Sequence, residues 1–256
     1  MVDTQRKQRQ QGKNKGSGSN AVAAARGASN DRRNLLIGVG AVLLVAIVVI
    51  VGITIKSNQI DQDKLAAIGA EHASSEYTAV LQDDSTVLAG NNNAKIKLDI
   101  YEDFICPVCG QFEQGDGAQV EKAIADGSIQ VRYHMLNMLQ PDGYSLRAAN
   151  AAAAAAKAGK FADFHNSLYK HEPDENTTGY TNDQLINLGQ RLGITGDQFT
   201  NEVKSGTYNS KVQADLDEAK KQRWFGGTPT VRSGDTTYDV LKDPQWLDKL
   251  LNGAKS

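Results

Sequence analysis

The sequence predicts an α/β domain in which a block of helices interrupts one small β-sheet, with a transmembrane helix before it. Three observations lead to this prediction. Residues 35–55 form an uncharged segment of 21 residues. Residues 94–102 and 128–134 alternate apolar and polar side chains, as strands with one buried face do. Residues 145–171 are alanine-rich and strongly helical, and further strand patterns follow only after about residue 225.

The N-terminal part of the chain carries its charge asymmetrically. Residues 1–34 hold eight Lys/Arg and two Asp, a charge of +6 in a chain of net charge −2. They are polar and Gly/Ser-rich, which predicts a disordered tail whose basic side stays in the cytoplasm. The segment 35–55 is long enough to span a bilayer as a helix, and it is longer than the apolar core of a cleaved signal peptide. Residues 56–76 are expected to be a partly helical juxtamembrane spacer. Nucleic-acid binding by the tail is the weaker interpretation of its charge.

Residues 77–256 are expected to form the extracytoplasmic domain. Residues 77–81 and 85–89 predict a short hairpin, and 94–102 predict a strand with Ile96, Leu98 and Ile100 on the core face. A helix should start near Pro107, because proline is tolerated in a first turn, and should end at Gly127. Gly115 and Gly117 predict a kink in it.

The second half continues the alternation of elements. The strand 128–134 should point Ile129, Val131 and Tyr133 inward, with His134 on its solvated face. A helical insertion is expected at about 141–222, including a helix capped by Thr181. A strand from Thr230, a hairpin partner at 236–241 and a helix at 243–253 then complete the sheet and its cover.

The chain contains only two cysteines, Cys106 and Cys109, three positions apart at the junction of a strand and a helix. At a helix N-terminus, free N–H groups and the helix dipole favour a negative charge. The pKa of Cys106 should therefore fall below the usual value of about 8.5. Cys109, one turn further along, can resolve a mixed disulfide that Cys106 forms.

Other uses of the two thiols are less well supported. A structural zinc site needs about four ligands, and neither another cysteine nor a paired histidine is available near the motif. A structural disulfide here would close a loop too short to constrain the unfolded chain much. Haem attachment would need histidine at position 110, where Gly110 stands. We therefore expect no metal and no cofactor. The four histidines also form no Ser-His-Asp arrangement.

The segment "YEDFICPVC", followed at long range by "GTPT", resembles the DsbA-like branch of the thioredoxin fold. More narrowly it is similar to membrane-anchored thiol–disulfide oxidoreductases of actinobacteria. The resemblance covers about 77–256, including the helical insertion. It implies that Cys106 is the nucleophile and Cys109 the resolving thiol. It also implies that the Thr228–Pro229 peptide is cis and lies beside the sulfurs, where an extended substrate can pair with the backbone.

Two departures from the family pattern concern the chemistry. Strongly oxidising members carry Pro-His between the cysteines, whereas this chain has Pro107-Val108, which predicts a less acidic Cys106 and a less oxidising disulfide. Many relatives place a buried acid six residues before the first cysteine, where this chain has Ile100. If a proton relay exists, Glu102 or Asp103 must provide it. Solvated positions at a strand end are an equally good interpretation of those two acids.

The leading hypothesis is therefore a membrane-anchored, extracytoplasmic enzyme that introduces disulfides into secreted or surface proteins. Its implied partners are reduced secreted proteins and a membrane redox protein of the DsbB or vitamin-K-epoxide-reductase type. One alternative is a reductase or isomerase on the same fold. Another is a peptide-binding or assembly factor that uses the groove beside Pro229 without turnover. Trp224 and Phe225 are interpreted as core residues, with the lip of that groove as the alternative.

Overall fold

A computed structural model describes residues 67–253 of the chain. The predicted tail at 1–34, the predicted transmembrane helix at 35–55 and the start of the predicted spacer lie outside these residues. None of the helices found between residues 67 and 253 combines the length and the apolar character needed to cross a bilayer.

One six-stranded sheet forms the centre of the domain, in the order β1-β2-β4-β3-β5-β6. Only the β3–β4 pair is parallel; the other neighbouring pairs within the described range are antiparallel. The predicted N-terminal hairpin is confirmed, with Ala79 opposite Ala89. The strands are β1 Ala79–Leu81, β2 Val87–Ala89, β3 Ile96–Glu102, β4 Ile129–Met135, β5 Thr230–Ser233 and β6 Thr236–Tyr238.

Both faces of the central strands are covered, which the alternation in β4 did not predict. The expected inward residues of β4 are buried, but His134 on the opposite face is only 8% exposed. A second small core, containing Tyr101, Leu136, Leu216 and Ala219, covers that face. The prediction of a solvated His134 was therefore wrong, because helix packing on the second face decides its burial.

Helices account for most of the remaining chain. They are α1 Pro107–Ala125, α2 Tyr144–Lys157, α3 Phe161–Lys170, α4 Asn182–Arg191, α5 Asp197–Ser205, α6 Asn209–Lys221 and α7 Trp246–Gly253. Helices α2 to α6 lie within the predicted insertion. The expected kink does not divide α1, which runs as one helix of 19 residues. The long helical stretch at 145–171 is divided instead, at Gly159, whose φ of +72° ends α2.

Helix α2 lies at the centre of the helical insertion. It contacts α3, α4, α5 and α6, and it also contacts β1. Its alanines from 151 to 156 are all buried, and such small side chains let neighbouring helices approach closely. The N-cap predicted at Thr181 is confirmed, and the structure adds a capping box: the Thr181 side chain accepts from the Gln184 N–H, and the Gln184 side chain accepts from the N-cap backbone.

The end of the predicted spacer packs on the folded domain. Residues 67–76 contain no helix. Ile68 is 2% exposed and belongs to the main core. The Glu71 N–H donates to Ser167 Oγ at 2.9 Å, and Arg191 Nη1 donates to the Ile68 carbonyl oxygen at 2.6 Å. The folded region thus begins before Tyr77, because these backbone groups and one apolar side chain find partners on α3 and α4.

Candidate active site

The two cysteines lie at the start of α1, directly after the β3 strand. Cys106 is the N-cap residue, with extended backbone angles, and Pro107 begins the helix. The Gly110 N–H donates to the Cys106 carbonyl oxygen at 3.0 Å, the first helical hydrogen bond. Cys106 is 6% exposed and Cys109 is fully buried. Both cysteines are free thiols, so this is the dithiol state of the pair.

The two thiols have opposite acidities. The pKa of Cys106 falls to about 6, chiefly because the Cys109 thiol stabilises its thiolate, and Thr228 and the amides of Cys109 and Val108 assist against the effect of burial. Burial raises the pKa of Cys109 well above its usual value, and the negative charges of Glu102 and Cys106 add to this. Near neutral pH the outer sulfur is thus mainly a thiolate, and the inner sulfur keeps its proton.

The cis-proline loop lies against the outer sulfur. The Thr228–Pro229 peptide is cis, as the resemblance implied. The Cys106 thiol donates to the Thr228 carbonyl oxygen at 3.4 Å, across 122 residues of sequence. Pro229 and Val108 are partly buried, whereas Pro107 is exposed. The sequence-predicted residues Cys106, Thr228 and Pro229 are therefore brought together at the end of β3.

The two acids proposed as proton relays occupy different environments. Asp103 accepts from the Ile105 N–H at 3.2 Å and from the Leu139 N–H at 2.9 Å, so each of its oxygens anchors a backbone amide. Glu102 is 1% exposed, and its Oε1 has no hydrogen-bond partner among the described residues. Burial raises the pKa of Glu102 to about 8, and the Cys106 thiolate adds to this. Of the two acids, Glu102 is the one whose pKa responds to the charge on Cys106.

Two further residues join Glu102, and sequence reasoning assigned them no role. His165 Nε2 lies 3.0 Å from Glu102 Oε2. The imidazole ring of His165 is surrounded by aromatic rings. Ligand atoms of Glu102, Glu113 and His165 all lie within 4.8 Å of one another, so these three could share protons or hold a divalent cation. Glu113 also lines a surface cavity of about 260 Å³ together with Glu71 and Glu121. The separation of His165 from β3 by 63 residues concealed this contact.

A third acid reaches the start of α1 from the helical insertion. Glu172 follows α3, and its carboxyl group lies directly on Gly110: a Cβ at position 110 would stand 1.9 Å from Glu172 Oε2. Burial raises the pKa of Glu172 to about 8, and the charges of Cys106 and Asp103 contribute. The sequence contains one trace of this contact, the glycine immediately after Cys109, but it does not reveal the partner.

The opposite face of the sheet holds an ionic cluster around His134. His134 Nδ1 lies 2.9 Å from Asp215 Oδ1, and its Nε2 lies 3.5 Å from Asp99 Oδ1. Burial opposes protonation, but these two carboxylates raise the pKa of His134. Tyr101 stacks on His134 with ring centroids 4.0 Å apart and contacts Trp224. Trp224 is only partly buried, so it combines core contact with a position just before the cis-proline loop.

Comparison with known proteins agrees with this architecture. The family model described as thioredoxin matches residues 82–253. The reduced form of the disulfide bond oxidoreductase DsbG from Mycobacterium tuberculosis superposes with a TM-score of 0.56 at 31% identity, covering 75% of this chain and 91% of that one. Reduced DsbA from the same organism gives a TM-score of 0.56 at 30% identity, covering 72% of this chain and 92% of that one.

A curated relative shows that the same domain occurs in a longer protein. Serine/threonine-protein kinase PknE of Mycobacterium tuberculosis is 30% identical over 178 residues, which is 64% of this chain and 31% of the kinase. The chain thus spans about a third of the length of that relative.

Proposed function

This chain belongs to the thioredoxin family, and on that premise we propose that it is a thiol–disulfide oxidoreductase that introduces disulfides into secreted or surface proteins. The observation that carries the proposal is the opposite acidity of Cys106 and Cys109 within one helical turn, beside a cis-proline loop. The solved structure at 31% identity is a disulfide bond oxidoreductase, DsbG, and the one at 30% identity is DsbA, both of Mycobacterium tuberculosis, which supports the same class of reaction.

The proposed reaction runs in two exchanges. A substrate thiolate attacks the Cys106 sulfur of the oxidised pair; the Cys106–Cys109 bond breaks, and Cys109 leaves and takes up a proton. A second substrate thiolate then attacks the substrate sulfur of the mixed disulfide and expels the Cys106 thiolate. The substrate loses two electrons and gains a disulfide, and the pair is reduced. A leaving thiol of low pKa speeds the second exchange, which is why the acidity of Cys106 favours donation of a disulfide.

Glu102 is proposed to carry the proton of Cys109. The charge of Glu102 raises the pKa of Cys109, and the charge of Cys106 raises the pKa of Glu102, so the three groups titrate together. A buried carboxyl group in this position can receive the Cys109 proton when the pair is reoxidised. Asp103 is proposed to hold the loop at Leu139 in place instead.

Membrane attachment is part of the proposal and is supported by the sequence. The uncharged segment 35–55 follows a tail of charge +6, which favours a single span with residues 56–256 outside the cytoplasm. A tether would keep the domain near newly secreted chains at high local concentration. Reoxidation would require a membrane redox protein, of the DsbB or vitamin-K-epoxide-reductase type.

Oxidative refolding of a reduced, disulfide-containing protein by the full-length chain in detergent tests the proposal. We expect the oxidised chain to restore disulfides and Cys106→Ser to abolish this. Mixed with an oxidised substrate, the reduced Cys109→Ser chain should accumulate mixed disulfides, because its Cys106 thiolate opens a substrate disulfide and no Cys109 thiol follows to release the substrate. Full retention of function in Cys106→Ser would contradict the exchange chemistry and favour a peptide-binding factor. The equilibrium constant with glutathione decides the direction: a strongly reducing pair would indicate a reductase or isomerase.

The alternative direction is favoured by one residue. Val108 occupies the position between the cysteines where strongly oxidising relatives carry histidine. The valine side chain donates no hydrogen bond, so the Cys106 thiolate is left with the backbone amide of Val108 alone at this position. Restoring a donor with Val108→His should make the pair more oxidising, and Val108→Ile is the matched control without a donor.

A further inference from the structure

The Glu172 carboxyl group occupies an unusual position at the start of α1. Its Oε2 contacts the backbone of Gly110, the residue immediately after Cys109. Its Oε1 is buried and has no hydrogen-bond partner among residues 67–253. Since a carboxylate oxygen without a donor is costly to bury, this group gains by holding a proton.

The groups that face Glu172 make an ionised carboxylate there still less favourable. After burial, the charges of Cys106, Asp103 and Glu175 raise its pKa, in that order. The charge of Glu172 in turn raises the pKa of Glu102 and of Tyr144. Cys106 is the one whose charge depends on the redox state, because its sulfur is a thiolate in the dithiol pair and neutral in a disulfide.

We propose that Glu172 accepts a proton when the cysteine pair is reduced and releases it when the pair is oxidised. This inference rests on the proposed function, and it assigns Glu172 an effect on the charge of Cys106 rather than a contact with the reacting sulfurs. The side chain comes from the helical insertion, so the insertion takes part in setting the redox equilibrium.

The proton balance of the exchange supports this role. A substrate dithiol that becomes a disulfide loses two electrons and releases two protons. One proton goes to Cys109, and Cys106 remains a thiolate. The second proton goes to Glu172, which becomes neutral as the negative charge on Cys106 develops. Without Glu172 the second proton is released to water.

The pH dependence distinguishes this role from a merely structural one. The pKa of Glu172 is about 8 in the dithiol state, because of burial and the charge of Cys106. In the disulfide state the charge of Cys106 is absent, so the pKa of Glu172 is lower. Between the two values the unaltered protein binds up to one proton more on reduction than a variant without the carboxyl group. Well below both values Glu172 is protonated in either state, and no difference remains.

The test is the equilibrium constant of the full-length chain with glutathione from pH 5.5 to 9, for the unaltered protein and Glu172→Gln. We expect the two constants to converge toward the acid end of this range. At higher pH the unaltered protein should become harder to reduce than Glu172→Gln. The ratio of the two equilibrium constants should change by up to about tenfold per pH unit where the two proteins differ by one bound proton on reduction. Asp174→Asn removes an exposed acid from the same loop that is not among the groups raising the pKa of Glu172, and it should follow the unaltered curve.

A second variant perturbs the contact without removing the charge. Gly110→Ala places a methyl group where Glu172 Oε2 lies, which displaces the end of a flexible side chain. It should shift the pH curve toward that of Glu172→Gln, and the double variant should show no additional shift.

The outcomes separate this inference from the proposed function. Unaltered protein that exchanges disulfides with the same pH dependence as Glu172→Gln would overturn the role of Glu172 alone. Unaltered protein that exchanges none at any pH would overturn the proposed function itself. An equal vertical offset of Glu172→Gln at all pH values would indicate a structural effect and would also overturn the inference.

Discussion

The acidity of Cys106 should depend chiefly on Cys109, because the Cys109 thiol is the largest cause that lowers the pKa of Cys106 to about 6. Replacing Cys109 with alanine removes this donor and leaves the helix amides and Thr228 in place. A hydrogen bond to a charged group contributes about 1.5–3 kcal/mol. At 1.36 kcal/mol per pKa unit, its loss corresponds to a rise of about one to two units.

We therefore expect the pKa of Cys106 to be about 7–8 in Cys109→Ala. At pH 7 the thiolate-to-thiol ratio would change from about ten to one to between about one to one and one to ten. Cys109→Ser is the matched control, because its hydroxyl group can still donate, and it should retain most of the shift. Cys109 is fully buried, so its replacement does not alter the surface seen by a small reagent.

The assay is the rate of alkylation by iodoacetamide from pH 4 to 10, on the reduced full-length chain in detergent. Each variant contains Cys106 as its single thiol, so the rate reports one group. A midpoint that stays near 6 in Cys109→Ala would show that the helix N-terminus alone sets the acidity. A midpoint near 9 in the unaltered protein would refute the reasoning on which the proposed function rests.

Three further predictions concern stability and proton transfer. In urea denaturation, Gly115→Ala should stabilise the domain by about 0.5–1 kcal/mol, since nothing lies within 4 Å of the added Cβ. Gly189→Ala should instead destabilise the domain by about 1–3 kcal/mol, because the added Cβ would overlap the Phe199 ring. Equal effects of these two changes would contradict the packing described for α4. Because the pKa of His134 is raised in the folded state, its ion pairs stabilise the fold fully below about pH 6.5 and lose their effect as the pH rises through the folded pKa. The Tm of the unaltered protein should fall as the pH rises from about 6.5 through that pKa. The Tm of His134→Gln should lack this fall. Glu102→Gln should slow closure of the Cys106–Cys109 disulfide from the mixed disulfide by about 10²-fold. It should also remove the fall in this rate as the pH decreases below about 8. An unchanged rate would show that Glu102 does not carry the proton.

Local patterns in the sequence were sufficient for the elements and for the sulfur pair. Alternation located β3 and β4, a capping residue located α4, and three-residue spacing at a strand–helix junction predicted that Cys106 and Cys109 form a redox pair. These features depend on neighbours within a few positions, and such neighbours can be read along the chain. The same locality explains the errors: the division at Gly159 and the burial of His134 depend on contacts and backbone angles that periodicity does not encode.

The burial of the acids near the sulfurs, and their distant partners, were decided by the tertiary structure. Glu102 gains His165 as a partner across 63 residues, and Glu172 reaches Gly110 from the end of α3. A carboxyl group shifts its pKa according to what surrounds it, and here the surroundings come from the helical insertion and the strand together. The sequence by itself thus predicted which two sulfurs exchange a disulfide, whereas packing of the insertion against α1 decided which carboxyl groups lie close enough to respond to their charge.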